Sequence, residues 1–218
     1  MSLLIFDLDG TLIDSRLDLV HAVNATRANA GLEPIGHDLI YSFVGEGAPI
    51  LVKRAMGPEA KAGEVENALT FFLDYYRHHA LDHTVLYPGV RESLDRLHSA
   101  GDKLAILTNK PVRISHLVLE GLGIARLFFR VYGGNSFDYK KPHPIGIDAL
   151  RAEAGAGLNE TWMVGDSSVD VRTARNAGVA ACGVTWGFQP ESLRDDPPDI
   201  LVDRMEDFAV RFPAQIRA

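Results

Sequence analysis

The residues Leu3–Thr11 read LLIFDLDGT, and they carry the strongest signal for a fold class in the chain. The first four form a short apolar run, which is typical of a strand buried on both faces of a parallel sheet. The run ends at two carboxylates, Asp7 and Asp9, and Gly10 then allows the backbone to turn sharply. A buried strand that ends directly in acidic residues predicts a polar site at the carboxyl edge of a sheet.

Short apolar runs of the same kind recur along the chain and alternate with longer amphipathic stretches. The predicted strands are Leu3–Phe6, Lys103–Leu107, Phe128–Val131, Thr161–Val164, Ala180–Val184 and Ile200–Val202. The predicted helices between them are Val90–Ala100, Val112–Leu122, Pro144–Ala154 and Val169–Ala177. This alternation predicts an α/β protein, a doubly wound parallel sheet covered by helices in three layers. Ligands of such sheets bind at the carboxyl ends of the strands.

One region interrupts the alternation. Residues 16–83 contain no convincing strand, and helical spacing is clear over Asp18–Ala30 and Glu64–Leu81. We therefore expect an inserted small α-helical cap domain at 16–83, with the core formed by residues 1–15 and 84–218. The expected hinges are Asp14–Arg16 and Asp82–Pro88, the second of which contains a turn signal.

Composition narrows the class of protein. The chain has 218 residues, of which 46% are hydrophobic and 23% charged, as in ordinary globular proteins. The net charge of −7 argues against nucleic-acid binding, which needs clustered Lys and Arg. The single cysteine, Cys182, fits a reducing compartment. With no signal-peptide core and no apolar run of ~20 residues, we expect a cytoplasmic protein that binds no membrane. Monomer and homodimer both remain open.

The two acidic residues after the first strand predict a metal site. Asp7 and Asp9 lie two positions apart, so both can project into the crevice at the strand end. Adjacent negative charges are costly unless a cation or a proton compensates them. Carboxylate oxygens suit Mg²⁺, which usually takes only one or two of them and keeps several waters. Asp166, after the fourth strand, is a further candidate ligand.

This motif has two other interpretations. An isolated Asp-x-Asp-Gly segment is often only a capped turn, because Asp and Gly are common turn formers. An EF-hand loop needs Gly at its sixth and Glu at its twelfth position, but Leu12 and Asp18 stand there. Calcium binding of that type is therefore not expected.

Polar residues also follow the later strands. Thr108 and Asn109 offer a hydroxyl and an amide that can hold phosphate oxygens, although such a pair alone usually caps a helix or a turn. Lys141 offers a positive charge for a phosphoryl group. A single lysine is most often exposed, but Pro142 and Pro144 stiffen the backbone beside this one.

The segment Gly165–Asp170 combines a tight turn with two carboxylates. Asp166 stands directly at the strand end and is the better metal candidate. Ser167 or Ser168 can cap the following helix. Asp170 would then lie in the first turn of that helix, where the helix dipole favours a negative charge, so a purely structural role competes with metal binding.

These segments, taken together and in this order, resemble the haloacid dehalogenase superfamily. The resemblance implies a Rossmann-like core with a cap and a mechanism through a phosphorylated aspartate. Aspartate at position 9, two places after Asp7, is similar to the phosphatase and phosphomutase branch rather than to the dehalogenases. Within that branch the helical insert resembles the small cap of the phosphoglycolate phosphatases.

The resemblance also implies roles in catalysis and metal binding. Asp7 corresponds to the nucleophile and a Mg²⁺ ligand. Asp9 corresponds to the general acid and base, with its backbone carbonyl on the metal. Asp166 corresponds to a metal ligand, and Asp170 either binds the metal directly or stands behind the direct ligands.

Substrate-binding roles follow in the same way. Thr108, Asn109 and Lys141 correspond to residues that hold the phosphoryl group. Gly45 and Gly47 lie in a segment that resembles the substrate-specificity loop of the cap, although simple helix-breaking explains them equally well.

The expected function is therefore a Mg²⁺-dependent hydrolase of a small phosphorylated metabolite, with phosphoglycolate as the first choice of substrate. A sugar phosphomutase and a pyrophosphatase are alternatives on the same core. A non-catalytic phosphate-binding regulatory protein is a further alternative, which the complete set of acidic and phosphate-holding residues disfavours.

Overall fold

The computed structural model describes residues 1–215, with side chains described as far as Val210. The strands are β1 (Leu3–Phe6), β2 (Ile13–Asp14), β3 (Val85–Leu86), β4 (Lys103–Leu107), β5 (Phe128–Tyr132), β6 (Thr161–Gly165), β7 (Ala180–Val184) and β8 (Ile200–Val202). The helices are α1 (Arg16–Asn29), α2 (His37–Phe43), α3 (Ala48–Met56), α4 (Ala62–His79), α5 (Val90–Ser99), α6 (Val112–Gly121), α7 (Ile145–Ala154), α8 (Ser168–Ala177) and α9 (Met205–Gln215).

The main sheet has six strands in the order β5-β4-β1-β6-β7-β8, and every neighbouring pair is parallel. Strand β1 lies inside the sheet between β4 and β6, with Leu3 in register with Lys103 on one side and Thr161 on the other. All six predicted strands are confirmed, and β5 and β6 each extend one residue further than expected. The predicted doubly wound α/β fold is therefore confirmed.

The side chains of β1 alternate between the two faces of the sheet and so belong to two separate cores. Leu4 and Phe6 pack with apolar residues of α5, α6 and α9 on one face. Leu3 and Ile5 pack with those of α7 and α8 on the other. All four are fully buried, and burial of each such side chain contributes about 1.5–3 kcal/mol. Helices on both faces make the three layers that the sequence predicts.

Residues 15–84, all of them described, contain helices and connecting turns but no strand. Helices α1 and α4 pack through buried residues such as Val20, Val23 and Phe72. The sequence indicated these two helices but not the shorter α2 and α3, whose few residues give a weak periodic pattern.

The two connections between the core and the helical segment pair with each other as short antiparallel strands, which the sequence did not predict. Ile13 of β2 pairs with Leu86 of β3, and Asp14 pairs with Val85. Strands of two residues are too short to show an alternating pattern. This pair lies at the expected hinges and connects them to each other.

Asp18, in the first turn of α1, links the same two connections through hydrogen bonds. Its carboxylate accepts hydrogen bonds from the backbone nitrogens of His83 and Thr84 at 2.8–3.0 Å and from the Thr84 hydroxyl at 2.7 Å. Burial opposes its ionisation, but these donors outweigh burial and lower the pKa of Asp18. The buried carboxylate therefore ties the start of the helical segment to its end.

The C-terminal helix α9 was also absent from the prediction. Phe208 of α9 packs edge-on against Phe6, with 5.9 Å between ring centroids, and both are fully buried. Among residues 1–215, none of the helices combines the length and the apolar character needed to cross a bilayer.

Candidate active site

The carboxyl ends of β1, β4 and β6 meet at one edge of the sheet, because these three strands are neighbours. Asp7 follows β1 and donates its backbone N–H to the Val164 carbonyl at 2.9 Å, which continues the pairing with β6. Thr108 follows β4, and Asp166 follows β6. Strand order alone thus brings together three residues that are spread over more than 150 positions of the sequence.

Asp7, Asp166 and Asp170 form a tight acidic cluster. Each offers a carboxylate oxygen, and these oxygens all lie within 4.8 Å of one another. Burial raises the pKa of Asp7 to about 6, although the positive charge of Lys141 lowers it. Burial, followed by the negative charges of Asp170 and Asp7, raises the pKa of Asp166 to about 8. The protein alone does not balance the charge of this cluster.

Lys141 lies among these carboxylates and is only 5% exposed. Its ammonium group is 2.9 Å from Asp7 Oδ1 and 2.6 Å from Asp170 Oδ1. Burial disfavours the charge, but Asp170 and Asp7 outweigh burial and place the pKa of Lys141 above its ordinary value. The lysine predicted from the sequence is therefore a buried cation.

The donor set fits a divalent cation. Asp7 Oδ1 is buried and lies 2.9 Å from the Lys141 ammonium group, with which it forms an ion pair. Asp166 Oδ2 accepts the backbone N–H groups of Phe188 at 2.6 Å and Gln189 at 3.3 Å, and no hydrogen bond within the described residues engages Oδ1. Carboxylate oxygens on two neighbouring strands are hard ligands of the kind that Mg²⁺ takes.

Asp170 is held differently. Its Oδ1 accepts from Lys141, and its Oδ2 accepts from the Ser167 backbone N–H at 3.2 Å and hydroxyl at 2.8 Å. Both oxygens are thus engaged by the protein, in a capping arrangement at the start of α8. This arrangement favours a role in holding Lys141 over direct metal binding.

Gly10 makes this geometry possible. Its φ of +80° lies in the left-handed region, and a Cβ atom there would stand 2.4 Å from Asp166 Oδ2. Any other residue would therefore have to displace the carboxylate, which explains glycine directly after Asp9.

Asp9 has partners that sequence reasoning missed. Its Oδ1 accepts from the Ser15 hydroxyl at 2.5 Å and from Lys110 Nζ at 2.9 Å, and Lys110 also lies 3.1 Å from Oδ2. Lys110 further donates to the hydroxyl of Tyr76 on α4 at 2.6 Å. A core loop and the helical segment therefore both position Asp9. Lys110 directly follows Thr108-Asn109, so the strand-end rule could have singled it out.

The expected phosphate-binding pair after β4 makes contacts within the protein. Asn109 Nδ2 donates to the carbonyls of Gly45 at 2.9 Å and Lys141 at 3.2 Å, and its Oδ1 accepts the Lys141 backbone N–H at 3.0 Å. The Thr108 hydroxyl oxygen accepts from the Lys110 backbone at 3.3 Å and keeps its own hydrogen for another acceptor. Asn109 thus joins Lys141 to the loop that contains Gly45.

The loop of Gly45 and Gly47 closely approaches the core. Gly47 has φ +88°, and a Cβ atom there would lie 2.9 Å from the Asn109 carbonyl oxygen. Gly45 has φ +112° and more space around it. From the sequence, these glycines could simply break helices. In the structure, a side chain at Gly47 would collide with the backbone of Asn109.

A cavity of about 50 Å³ lies between the helical segment and the strand ends. The core lines it with Asp7, Asp9, Thr108, Asn109, Lys110, Pro111, Asp166, Ser167, Phe188 and Gln189. The helical segment lines it with Leu19, Val44, Gly45, Gly47, Ala48, Leu51, Phe72 and Tyr76. Phe188 and Gln189, from the loop after β7, were not predicted as site residues. A cavity that lies over acidic strand ends and is lined by both the core and the helical segment suits chemistry on a small molecule.

Comparison with known proteins identifies the family. The model of the haloacid dehalogenase-like hydrolases matches residues 4–184. The chain therefore belongs to this family, and the resemblance stated above is confirmed.

Relatives of known name agree. A protein named phosphoglycolate phosphatase from Agrobacterium fabrum is 38% identical over 97% of this chain and 91% of its own length. One of the same name from Vibrio vulnificus strain CMCP6 is 41% identical over 94% of this chain and 93% of its own. A crystal structure from Haemophilus somnus, described as a predicted phosphoglycolate phosphatase, superposes with a TM-score of 0.92 at 31% identity, covering 97% and 98% of the two chains. Within its family the chain is a phosphatase, a hydrolase of phosphoric monoesters.

Proposed function

We propose that this chain is a Mg²⁺-dependent phosphoglycolate phosphatase that converts 2-phosphoglycolate to glycolate and phosphate. The observation that carries the chemistry is the buried Asp7 carboxylate, which clusters with Asp166 and Asp170 and whose Oδ1 lies 2.9 Å from Lys141 Nζ. The names of its relatives and the small size of the cavity support the choice of substrate.

Asp7 is the nucleophile of the first step. Its oxygen attacks phosphorus in line, the phosphorus–ester oxygen bond breaks, and an aspartyl-phosphate forms. Covalent catalysis of this kind replaces one difficult displacement with two easier ones. Lys141 and the hydroxyl of Thr108 bind the phosphoryl oxygens, while Asn109 fixes the backbone of Lys141.

Asp9 is the general acid and then the general base. It protonates the departing alkoxide in the first step. In the second step it takes a proton from water, which attacks phosphorus and releases phosphate from Asp7. Ser15 and Lys110 hold its carboxylate in position for both transfers.

Asp7, Asp166 and the backbone carbonyl of Asp9 would hold Mg²⁺, with Asp170 supporting Lys141 beside them. When bound, the ion supplies positive charge that offsets both the clustered carboxylates and the phosphate dianion. That offset lets the ionised Asp7 approach phosphorus.

Residues 16–83 act in this proposal as a cap that closes over the substrate, with the core at 1–15 and 84–218. Movement about Asp14–Arg16 and Asp82–Pro88 would open the cavity, and closure would exclude bulk water. The loop of Gly45 and Gly47 would then bring backbone groups to the leaving group.

The cellular setting follows from the same proposal. The partner is a small phosphorylated metabolite, and the excess of acidic residues argues against nucleic acid as a partner. We place the protein in the cytoplasm, where the single buried Cys182 would remain reduced.

The test is phosphate release from a panel of small phosphate esters and pyrophosphate with Mg²⁺, compared by kcat/KM. We expect 2-phosphoglycolate to be the best substrate. Faster turnover of pyrophosphate or of a sugar phosphate would overturn the substrate assignment. Isomerisation of a sugar phosphate without phosphate release would identify a phosphomutase instead.

A further inference from the structure

Lys110, which positions Asp9, also lines the cavity itself. Of the side chains that line it, within the described part of the chain, Lys110 is the only cation. Its side chain is just 3% exposed. The facing wall of the helical segment consists mainly of apolar side chains and glycine backbone. An anionic group on a leaving group would therefore find one charged partner here.

The ammonium group of Lys110 is held by two residues that also line the cavity, Asp9 and Tyr76. Its hydrogens are directed to Asp9, which it meets through both carboxylate oxygens at 2.9 and 3.1 Å, and to the Tyr76 hydroxyl at 2.6 Å. An ammonium group has three donors. Two are directed to Asp9, and the third, which is now on the Tyr76 hydroxyl, is the one that another acceptor can take over. The Tyr76 ring lies 4.4 Å from Nζ and supports the same position.

The position of Lys110 relates it to one part of a substrate. Asp9 is the group that protonates the ester oxygen in the proposed mechanism, so the ammonium group beside Asp9 is next to the leaving group and not to the transferred phosphoryl group. In a phosphorylated 2-hydroxy acid the carboxylate carbon is only two bonds from that oxygen. The carboxylate thus falls within reach of Lys110.

We infer that Lys110 is the specificity-determining residue that binds the carboxylate of the leaving group. The inference rests on the proposed phosphatase function and refines it. Tyr76 is a positioning residue, since it reaches Lys110 from α4 and is 1% exposed. Recognition is therefore complete only when α4 packs on the core.

The experiment compares two esters of equal length, 2-phosphoglycolate and 2-hydroxyethyl phosphate, which differ in the carboxylate. The wild-type protein is expected to prefer 2-phosphoglycolate. In Lys110→Met the ratio of the two kcat/KM values should fall by about 30-fold or more, since a buried charge pair loses one partner. Lys110→Arg should recover part of the ratio, and Lys53→Met, which removes an exposed lysine of α3, should leave it unchanged.

Two further measurements keep the outcome decisive. The inhibition constant of inorganic phosphate should stay within roughly threefold of wild type, which reports an intact phosphate site. Tyr76→Phe should raise KM for 2-phosphoglycolate by a larger factor than KM for 2-hydroxyethyl phosphate.

The inference is overturned if Lys110→Met slows both esters equally. It is also overturned if that variant turns over neither and Tyr76→Phe leaves the ratio unchanged. A wild-type protein that hydrolyses both esters equally well would refute the inference but not the phosphatase. One that hydrolyses no phosphate ester with Mg²⁺ would instead refute the proposed function.

Discussion

The two walls of the cavity differ in polarity: one contains charged side chains and the other mainly apolar ones. The wall formed by the strand ends contains the buried charges of Asp7 and Asp166, the first held by an ion pair with Lys141 and the second by backbone hydrogen bonds. The wall formed by the helical segment is mostly apolar, with Leu51 and Phe72 buried toward it. Charges need fixed partners when they are removed from water, and strands inside a sheet provide fixed positions. The apolar wall can move without leaving a charge unpaired.

The comparison teaches that chemistry and substrate choice belong to different parts of the molecule. Changes on the charged wall should reduce turnover for every substrate. Changes on the helical side should alter affinity and substrate preference more than the chemical step. Lys110 is the exception, because it lies in the core and contacts Tyr76 on the other side.

The largest effect is expected for Asp7→Asn. The amide is a poor nucleophile, so kcat should fall by at least ~10⁴-fold with every phosphate ester. Phosphate release measured with Mg²⁺ tests this. Circular dichroism and the thermal midpoint should show an intact fold, since a buried, repelling charge has been removed. An Asp7→Asn protein with near-normal turnover would refute the assignment of the nucleophile.

The second-largest effect is expected for Lys141→Met, which should reduce kcat/KM by roughly 10²- to 10³-fold. Removal of the cation leaves Asp170 and Asp7 facing each other and deprives the phosphoryl group of a partner. Steady-state kinetics on two unrelated esters should show similar losses. Lys103→Met is the matched control, because Lys103 begins β4 at the opposite edge of the sheet and donates to the Ala154 carbonyl. Equal losses in both variants would contradict the role of Lys141.

The acidic cluster should make stability depend on pH and on Mg²⁺. Asp7 and Asp166 have folded-state pKa values near 6 and 8, above the ordinary 3.8, so the folded chain binds protons that the unfolded chain releases. Without Mg²⁺, stability should therefore fall by several kcal/mol as pH rises from about 4 to 8. Thermal unfolding without the ion at pH 5 and pH 8 measures this change.

Mg²⁺ should restore most of that loss at pH 8 and have little effect at pH 5. Asp166→Asn should flatten the pH dependence and abolish stabilisation by Mg²⁺. A wild-type midpoint that does not respond to Mg²⁺ at pH 8 would argue against a metal site here.

The smallest effect is expected on the helical side. Gly47→Ala introduces a Cβ atom 2.9 Å from the Asn109 carbonyl oxygen and should raise KM by roughly tenfold with a smaller change in kcat. Gly57→Ala is a close control, because Gly57 has φ +89° but no atom within 4 Å of the added carbon. Both variants incur similar backbone strain, about 1–3 kcal/mol, because Gly47 (φ +88°, ψ 165°) and Gly57 (φ +89°, ψ 168°) have nearly the same backbone conformation. A similar KM for the two would show that the loop does not contact the substrate.

Several features were predictable because they depend on neighbours in sequence. A buried strand has a short apolar run, and a functional residue at its end stands directly after that run, as with Asp7, Thr108 and Asp166. The order of strands in a parallel sheet then brings those ends together. The family resemblance supplied roles for the same residues.

Other features depend on residues far apart in the chain. Lys110 meets Asp9 across 101 positions and Tyr76 across 34, and no local pattern relates them. The same holds for the β2–β3 pair, where each strand has only two residues, and for the packing of α9 on Phe6.

The sequence by itself therefore determined the α/β sheet, the helical insert and the acidic edge, because burial patterns and turns depend on residues that are neighbours in the chain. Only the tertiary structure decided which charge compensates which. It paired Lys141 with Asp7 and Asp170, and Lys110 with Asp9 and the hydroxyl of Tyr76. The physical reason is that a buried charge is tolerable only beside its partner, and packing, not sequence distance, determines which residues become neighbours.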